Sequence, residues 1–550
     1  MQWNIAERLG EFADRFPHER AVVYPAGRDR AGRVAYAHLT FAELDQESDR
    51  LARGLREMGV AAGTRMVLMV RPGREFIALT YALLKAGAVT ILIDPGMGRS
   101  NIFRCLKEVE PEGFIAIPLV HVVRRLRSKL FPRARLNVTV GRRFWSGPDY
   151  ATLLGGAWSR FETDRANATD PAAIIFTSGS TGPPKGVLYE HGMFSAQVDL
   201  LRDFYRIQPG EVNLAAFPLF ALFNSAMGVT TVIPEMDPTR PAQVDPKKII
   251  DVMREEGATQ AFGSPALWNR VGRYAEQEGV TLPSLQRVFS AGAPVPVHVL
   301  ERMSRILVGE GADMHTPYGA TESLPVCSIS GREVLAETAA RSRQGAGTCV
   351  GHPFPGVTSK VIEITDGPIG ALNEVRELPA GEIGEIIVQG PSVTREYYRR
   401  PEATRFAKIP DAGQFWHRMG DVGYLDDEGI LWFCGRKAHI VETDEGRMFS
   451  VPSEAIFNEH PRVYRTALVG VGEKHSQEPV VVVEPEQGCF PRTASERERF
   501  RRELIELGAS STSTAKIHSF LFHTSLPVDI RHNVKIHREK LALWAEKKHS

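Results

Sequence analysis

Ten residues, Thr177-Ser-Gly-Ser-Thr-Gly-Pro-Pro-Lys-Gly186, gather three glycines, four hydroxyls and one lysine. That mixture suits phosphate: glycine lets the backbone approach, hydroxyls and amides donate, and Lys185 supplies charge. Thr177, Ser178, Gly179, Ser180, Thr181, Gly182 and Lys185 are therefore candidate phosphate ligands. The stretch is not a Walker loop, which needs Gly-Lys-Ser/Thr at the start of a helix; here Lys185 follows two prolines and precedes Gly186. A flexible linker would not sit between two buried-strand patterns, Ala172 to Phe176 and the run from Val187.

Further along stand other groups fit for chemistry. Val288-Phe-Ser-Ala-Gly-Ala-Pro-Val295 holds Gly292, Ala293 and Pro294, and a second strand-like stretch ends in Tyr318-Gly319-Ala320-Thr321-Glu322. Small residues after a strand leave a flat slot for a planar ring, although either fragment alone is an ordinary strand-to-loop junction. Asp421 follows Gly420 and reads as a turn aspartate capping its own backbone; Arg436 follows Gly435, and Lys535 stands in Val534-Lys-Ile-His-Arg538 near the end. The run Leu214 to Phe223, with Phe217, Phe220, Ala221 and Phe223, is more apolar and aromatic than a solvent-facing loop, and is either core or the wall of an apolar groove. His191 and His315 are isolated histidines, more often structural than catalytic.

The elements that must position these groups fill 550 residues, too long for one core, so two or more domains are expected. Thr40 to Gly59 reads as a helix, with a capping box in Thr40-Phe-Ala-Glu43, an apolar face of Leu44, Leu51, Leu55 and Met58, and Gly59 to end it. The apolar run Met66 to Val70, a helical stretch from Glu75 to Lys85 and the run Val89 to Ile93 alternate as strand, helix, strand, the pattern of a parallel α/β sheet. Gly381 to Gly390 followed by Tyr397-Tyr398 suggests a small β-rich subdomain. From about Lys437, a helix near Ser453 to His460 and strands at Ala467 to Val471 and Pro479 to Val483 predict a second, α+β domain.

Hydrophobic residues make up 43% and charged residues 24%, and 67 Lys+Arg against 66 Asp+Glu leave a formal charge of +1, so nothing global points to nucleic acid. Five scattered cysteines without Cys-x-x-Cys argue against a disulfide framework or a zinc site. The opening Met1-Gln-Trp-Asn-Ile-Ala-Glu-Arg carries charge where a signal peptide needs an apolar core, and no apolar run reaches membrane-spanning length, so a cytoplasmic location is expected. Residues 117–143 are unusual: Ile117-Pro-Leu-Val-His-Val-Val precedes Arg124, Arg125, Arg127, Lys129, Arg133 and Arg135, with Arg142 and Arg143 after them. Such a segment is either a solvated helix face or a peripheral contact with a membrane or a pathway enzyme.

Thr177 to Gly186 resembles the ATP-binding signature of the adenylate-forming superfamily: acyl-CoA synthetases, peptide-synthetase adenylation domains and beetle luciferases. The resemblance implies a large N-terminal domain of α/β subdomains plus a small β-rich subdomain, residues 1–435, and a small mobile α+β C-terminal lid, residues 436–550. It implies ATP and Mg²⁺, with Gly292 to Pro294 and Tyr318 to Ala320 forming the adenine pocket and Tyr318 stacking on the base. Thr321 and Glu322 would reach the phosphates, and Thr177 with Glu322 would hold the metal. Asp421 would accept the ribose hydroxyls, Arg436 would make a second ribose or phosphate contact, and Lys185 and Lys535 would act as catalytic cations, Lys535 carried in on the lid.

Some positions depart from the superfamily pattern. Ala221 stands where many relatives carry histidine, Ala438 at the hinge position usually held by Asp or Lys, and Val534 where glycine usually precedes the lysine. Over nearly its whole length the chain resembles the β-lactone synthetases of bacterial long-chain olefin biosynthesis. That likeness implies a long-chain 2-alkyl-3-hydroxyalkanoic acid as substrate, activated as acyl-AMP and closed by its own 3-hydroxyl into a β-lactone. The alternatives are a medium- or long-chain acyl-CoA ligase and a catalytically silent membrane-docking scaffold. The acceptor of the hydroxyl proton stays open between His191, His315 and the leaving phosphate.

Overall fold

The computed structural model describes residues 3–142, 145–156, 158–177, 183–528 and 536–549, with 218–221 and 549 described by backbone alone. The expected capping box forms: Thr40 Oγ1 accepts from the Glu43 amide at 3.2 Å, and Glu43 accepts from the Thr40 amide at 2.8 Å. It opens helix α1 (Phe41–Glu57), which buries Leu44, Leu51 and Leu55. Helix α2 (Arg74–Lys85) packs against it and ends in a buried cation. Lys85 Nζ lies 2.6 Å from both Asp45 and Asp49, so the charges on this interface are paired.

A six-stranded sheet follows from the strand and helix alternation. Strands β1 (Arg65–Met69), β2 (Val89–Leu92), β3 (Gly113–Ala116), β4 (Leu136–Thr139), β5 (Pro171–Phe176) and β6 (Gly186–Glu190) lie in the order β4-β3-β1-β2-β5-β6. All are parallel except β6, which runs antiparallel to β5. Helix α3 (Pro118–Leu126) leaves β3, and α4 (His191–Tyr205) leaves β6.

The second sheet has 14 strands among the described residues. Its centre is parallel, with β7 (Arg287–Ser290) beside β8 (Asp313–Ala320). Strand direction then reverses: β9 (Ser323–Ser330) folds back antiparallel on β8, and the sheet continues through Thr348–Pro353 to β11 (Leu431–Arg436), which pairs with β10 (Gln414–Leu425). Ligand sites in open α/β sheets lie outside the carboxyl ends of the parallel strands, and Ala320 is the carboxyl end of β8.

Beyond Arg436, Lys437–His439 make one tight turn before helix α5 (Ser450–Asn458). Strands β12 (Val463–Val471), β13 (Glu478–Pro485) and β14 (Ser519–Phe522) form a small mixed sheet, and α6 (Arg538–His549) follows. Phe457, Phe500 and Phe520 fill one core of this region, and Leu526, Leu541 and Ala545 belong to a second. No helix among the described residues is long and apolar enough to cross a membrane.

Candidate active site

Because β5 and β6 are antiparallel neighbours, the phosphate-loop candidate is a hairpin connection. At its base the Thr177 amide donates to the Lys185 carbonyl at 3.0 Å, and the Lys185 amide donates to Thr177 Oγ1 at 3.2 Å. Ser178, Gly179, Ser180, Thr181 and Gly182 lie outside the described residues. Lys185 Nζ stands 4.8 Å from the centroid of the Tyr397 ring, a cation–π distance. Tyr397 and Tyr398, expected with the small β-rich subdomain, also reach β6: Tyr398 donates its amide to Gly186 O at 2.7 Å and Tyr397 bridges to Val187.

Ala320 pairs with Ser323, so Thr321 and Glu322 are the two-residue turn of the β8–β9 hairpin. Gly319 is required there, since a Cβ would stand 2.6 Å from Ser323 O. The turn is pinned on several sides: Thr321 O accepts from the Tyr189 hydroxyl, and Glu322 O accepts from the Thr394 amide and hydroxyl at 2.9 and 3.0 Å. Glu322 Oε1 accepts from the Tyr397 hydroxyl at 2.6 Å. Burial and the Glu322 charge drive the Tyr397 phenol far upward, so it remains a donor. Among the described residues no cluster of three or more His, Cys, Asp or Glu could hold a metal. A single carboxylate such as Glu322 fits Mg²⁺, which takes one or two carboxylates and completes its shell with substrate phosphate oxygens and water.

Asp421 was expected in a turn, and the structure corrects this. It lies within β10, opposite Arg436 of β11. Glu385 pairs with Val422 while Ile387 pairs with Arg418, so residues 419–421 bulge opposite Ile386, and Gly420 takes the positive φ of 66°. A bulge re-aims a side chain. Asp421, 3% exposed, accepts from the Tyr318 hydroxyl at 2.6 Å through Oδ2 and pairs through Oδ1 with Arg436 Nη1 at 2.9 Å. The Asp421 carboxylate raises the Arg436 guanidinium further, and burial holds the Tyr318 phenol protonated.

No role at this site was read from sequence for Tyr397, Lys408 or His417. Lys408 is buried and donates to the Thr394 carbonyl, the residue that also holds Glu322. Burial pushes its amine down to about 7, against the opposing pull of Glu322. His417 is buried with Nδ1 3.2 Å from Ala407 O, and burial together with the Lys408 charge keeps the ring well below its ordinary range. For His417 alone there was a sequence signal, alternation along β10, which sets it on the side opposite Trp416.

A single cleft of about 3760 Å³ joins these groups. Thr177, Lys185, Gly292, Ala293, Pro294, Tyr318 to Glu322, Asp421, Arg436 and His417 line it, and so do Phe217 and Phe223 of the expected groove. Phe223 lies 6.2 Å from Phe194, which stacks on Tyr189 at 5.0 Å, and Phe217 lies 6.5 Å from Phe262. The side chains of Phe220 and Ala221 lie outside the described residues. His191 and His315 do not line the cleft: His191 is buried at the start of α4, with its ring pushed down to about 4, and His315 packs between Tyr205 and Phe289.

Past Arg436, Lys437 Nζ reaches Glu385 at 3.0 Å, the same carboxylate that Arg418 grips at 2.9 and 2.6 Å. Ala438 beside it is exposed. Arg538 Nη2 lies 2.6 Å from both carboxylate oxygens of Glu454 in α5, anchoring the chain three residues after Lys535. Lys535 and Val534 lie outside the described residues.

The fold, with Tyr318, Glu322, Asp421 and Arg436 of the large mixed sheet facing one cleft together with Thr177 and Lys185, is that of an adenylate-forming enzyme, an AMP-forming ligase-type catalyst. The chain belongs to the AMP-binding enzyme family, which its residues 9–398 match. It is 48% identical to the olefin β-lactone synthetase of Xanthomonas campestris pv. campestris, over 98% of this chain and 97% of that one. It is 46% identical to the olefin β-lactone synthetase of Stenotrophomonas maltophilia, over 98% of each. Among solved structures, ATP-bound MatB from Rhodopseudomonas palustris matches over 100% of both chains with a TM-score of 0.79 at 22% identity.

Proposed function

We propose that this chain adenylates a long-chain 2-alkyl-3-hydroxyalkanoic acid and closes it to a β-lactone, releasing pyrophosphate and then AMP. What carries this is full-length likeness, at 46% and 48% identity, to two olefin β-lactone synthetases. Residues 1–435 would form the adenylation domain and 436–550 the lid. Two alkyl chains need a broad apolar groove, in keeping with the aromatic wall of Phe194, Phe217 and Phe223.

In the first half-reaction a carboxylate oxygen attacks the α-phosphorus of ATP, and the bond to pyrophosphate breaks. Such a transfer asks the protein for positioning and for cations over the phosphate oxygens. Lys185 would sit at the β/γ end and Lys535 at the α-phosphate. Asp421, fixed by Tyr318 and Arg436, would receive the ribose hydroxyls. Glu322 and Thr177 would hold Mg²⁺, which neutralises phosphate charge when bound.

In the second half-reaction the 3-hydroxyl oxygen attacks the acyl carbonyl of the same molecule, and the C–O bond to AMP breaks. Its proton passes to the departing phosphate or to water. Intramolecular attack carries an effective molarity of about 10⁵ to 10⁸ M when the geometry is right. The mixed anhydride offsets the ring strain, and no thiol acceptor enters.

The test is one incubation with ATP, Mg²⁺ and a 3-hydroxy-2-alkyl acid without coenzyme A, followed by proton NMR. Lactone signals and AMP release are expected. Turnover only after coenzyme A is added, with a thioester product, would instead make the chain an acyl-CoA ligase.

A further inference from the structure

Helix α3 is built inside out. An amphipathic helix on a globular protein turns its apolar stripe toward the core. Here Leu119, Val122, Val123 and Leu126, spaced i, i+3, i+4 and i+7, are 68%, 45%, 37% and 79% exposed. The opposite face carries polar groups inward: His121 is buried, with Nε2 2.9 Å from Val138 O and its ring 5.9 Å from Trp145, and Arg124 is half-buried.

The charge along this stretch of chain has one sign. Between Glu112 and Asp149 there is no carboxylate, while Arg124, Arg125, Arg127, Lys129, Arg133, Arg135 and Arg142 fall there. Arg125, Arg127, Lys129, Arg133 and Arg135 are exposed, and among the described residues none forms a salt bridge, the nearest charge relation being that of Arg133 with Glu110. Two of them lie against aromatic rings beside the helix, Arg125 over Trp145 at 5.5 Å and Arg127 over Phe103 at 5.8 Å. The stripe also stands at an opening of the large cleft, since Leu119, Val123 and Leu126 line it together with Met97, Phe103 and Phe131.

We infer that α3 and its cationic surround seat the protein on an anionic lipid bilayer. The four apolar side chains enter the acyl boundary, and the cleft opens toward the membrane. An apolar stripe on a short helix inside a field of unpaired cations matches the interfacial mode of membrane binding, where buried apolar area and attraction to anionic headgroups add. A protein partner would call for charges of both signs to set register, and this stretch carries no carboxylate. Membrane binding does not depend on the proposed reaction, but given that reaction it sets the cleft where a dialkyl acid partitions.

The experiment is vesicle sedimentation with the full-length protein, on phosphatidylcholine alone and on phosphatidylcholine mixed with phosphatidylglycerol, at low and high salt. Retention is expected only on the mixed vesicles and should be lost at high salt. The triple variant Arg125→Gln, Lys129→Gln, Arg133→Gln should weaken binding about a hundredfold, from roughly fivefold per cation. Its ATP–pyrophosphate exchange should be unchanged, since none of the three lines the cleft. Leu126→Asp, at a site 79% exposed, should weaken retention with an unaltered melting temperature. Equal retention on neutral vesicles, retention on neither, or undiminished binding by both variants overturns the inference. So does a change of oligomeric state in Leu126→Asp with vesicle binding intact, which would give the stripe to a second copy of the chain. These readouts are separate from the lactone assay, so either proposal can fail alone.

Discussion

The hydroxyl of Tyr318 donates to Asp421 at 2.6 Å across 103 positions of sequence, joining β8 at the parallel centre of the large sheet to β10 in its antiparallel part. Asp421 is thereby held between a phenol and the Arg436 guanidinium. Tyr318→Phe should remove a charge-assisted bond of about 1.5 to 3 kcal/mol while leaving the ring. ATP–pyrophosphate exchange measured against ATP concentration should show KM for ATP raised at least about tenfold, with kcat less affected. An unchanged KM would take the carboxylate out of nucleotide binding.

Lys408 makes stability depend on pH in an unusual direction. Its ordinary value is 10.5, and in the folded chain it is pushed down to about 7. Between those values the unfolded chain binds more protons than the folded one, so stability should rise as pH increases from about 7 to about 10. Thermal melts of wild type and Lys408→Met across that range should show this contribution to the slope in the first and its loss in the second.

Glu322→Gln keeps the shape of the turn and an acceptor for Tyr397 but removes the charge proposed to hold the metal. A magnesium titration of the exchange reaction should show the half-saturating concentration displaced upward and the maximal rate lowered about a hundredfold. A titration superimposable on wild type would move the metal elsewhere.

Lys535 and Arg538 sit in one short segment but should fail differently. Lys535→Ala should lower exchange about a hundred- to thousandfold without changing the melting temperature. Arg538→Ala strands the buried Glu454 carboxylate, whose acidity burial already weakens, and should cost about 3 to 5 kcal/mol of stability. Chemical denaturation of both variants separates the two roles.

What was legible in the sequence was mostly local. The capping box of α1 needs only Thr40 and Glu43, so it is written in adjacent letters. Tyr397, Lys408 and His417 carry no such signature, because their importance arises from Glu322, Thr394 and Ala407, to which the fold brings them. Gly420-Asp421 misled for another reason: a tight turn and a bulge both use a glycine at positive φ, and only the register of the neighbouring strand tells them apart. In α3 the periodicity was plain, but periodicity marks a stripe without saying whether it faces the core or the solvent.

If the connection between β5 and β6 holds the phosphates as proposed, its place in the fold also decides what kind of attraction they feel. In a strand-to-helix phosphate loop, aligned peptide dipoles point at the anion. Here the chain turns back into a strand, and α4 begins only at His191, at the other end of β6. In the proposed reading the pull on the triphosphate then owes nothing to a helix dipole and rests on Lys185, Lys535 and the local donors of the loop. Inorganic phosphate, with neither base nor ribose to tether it, should be held poorly by such a loop.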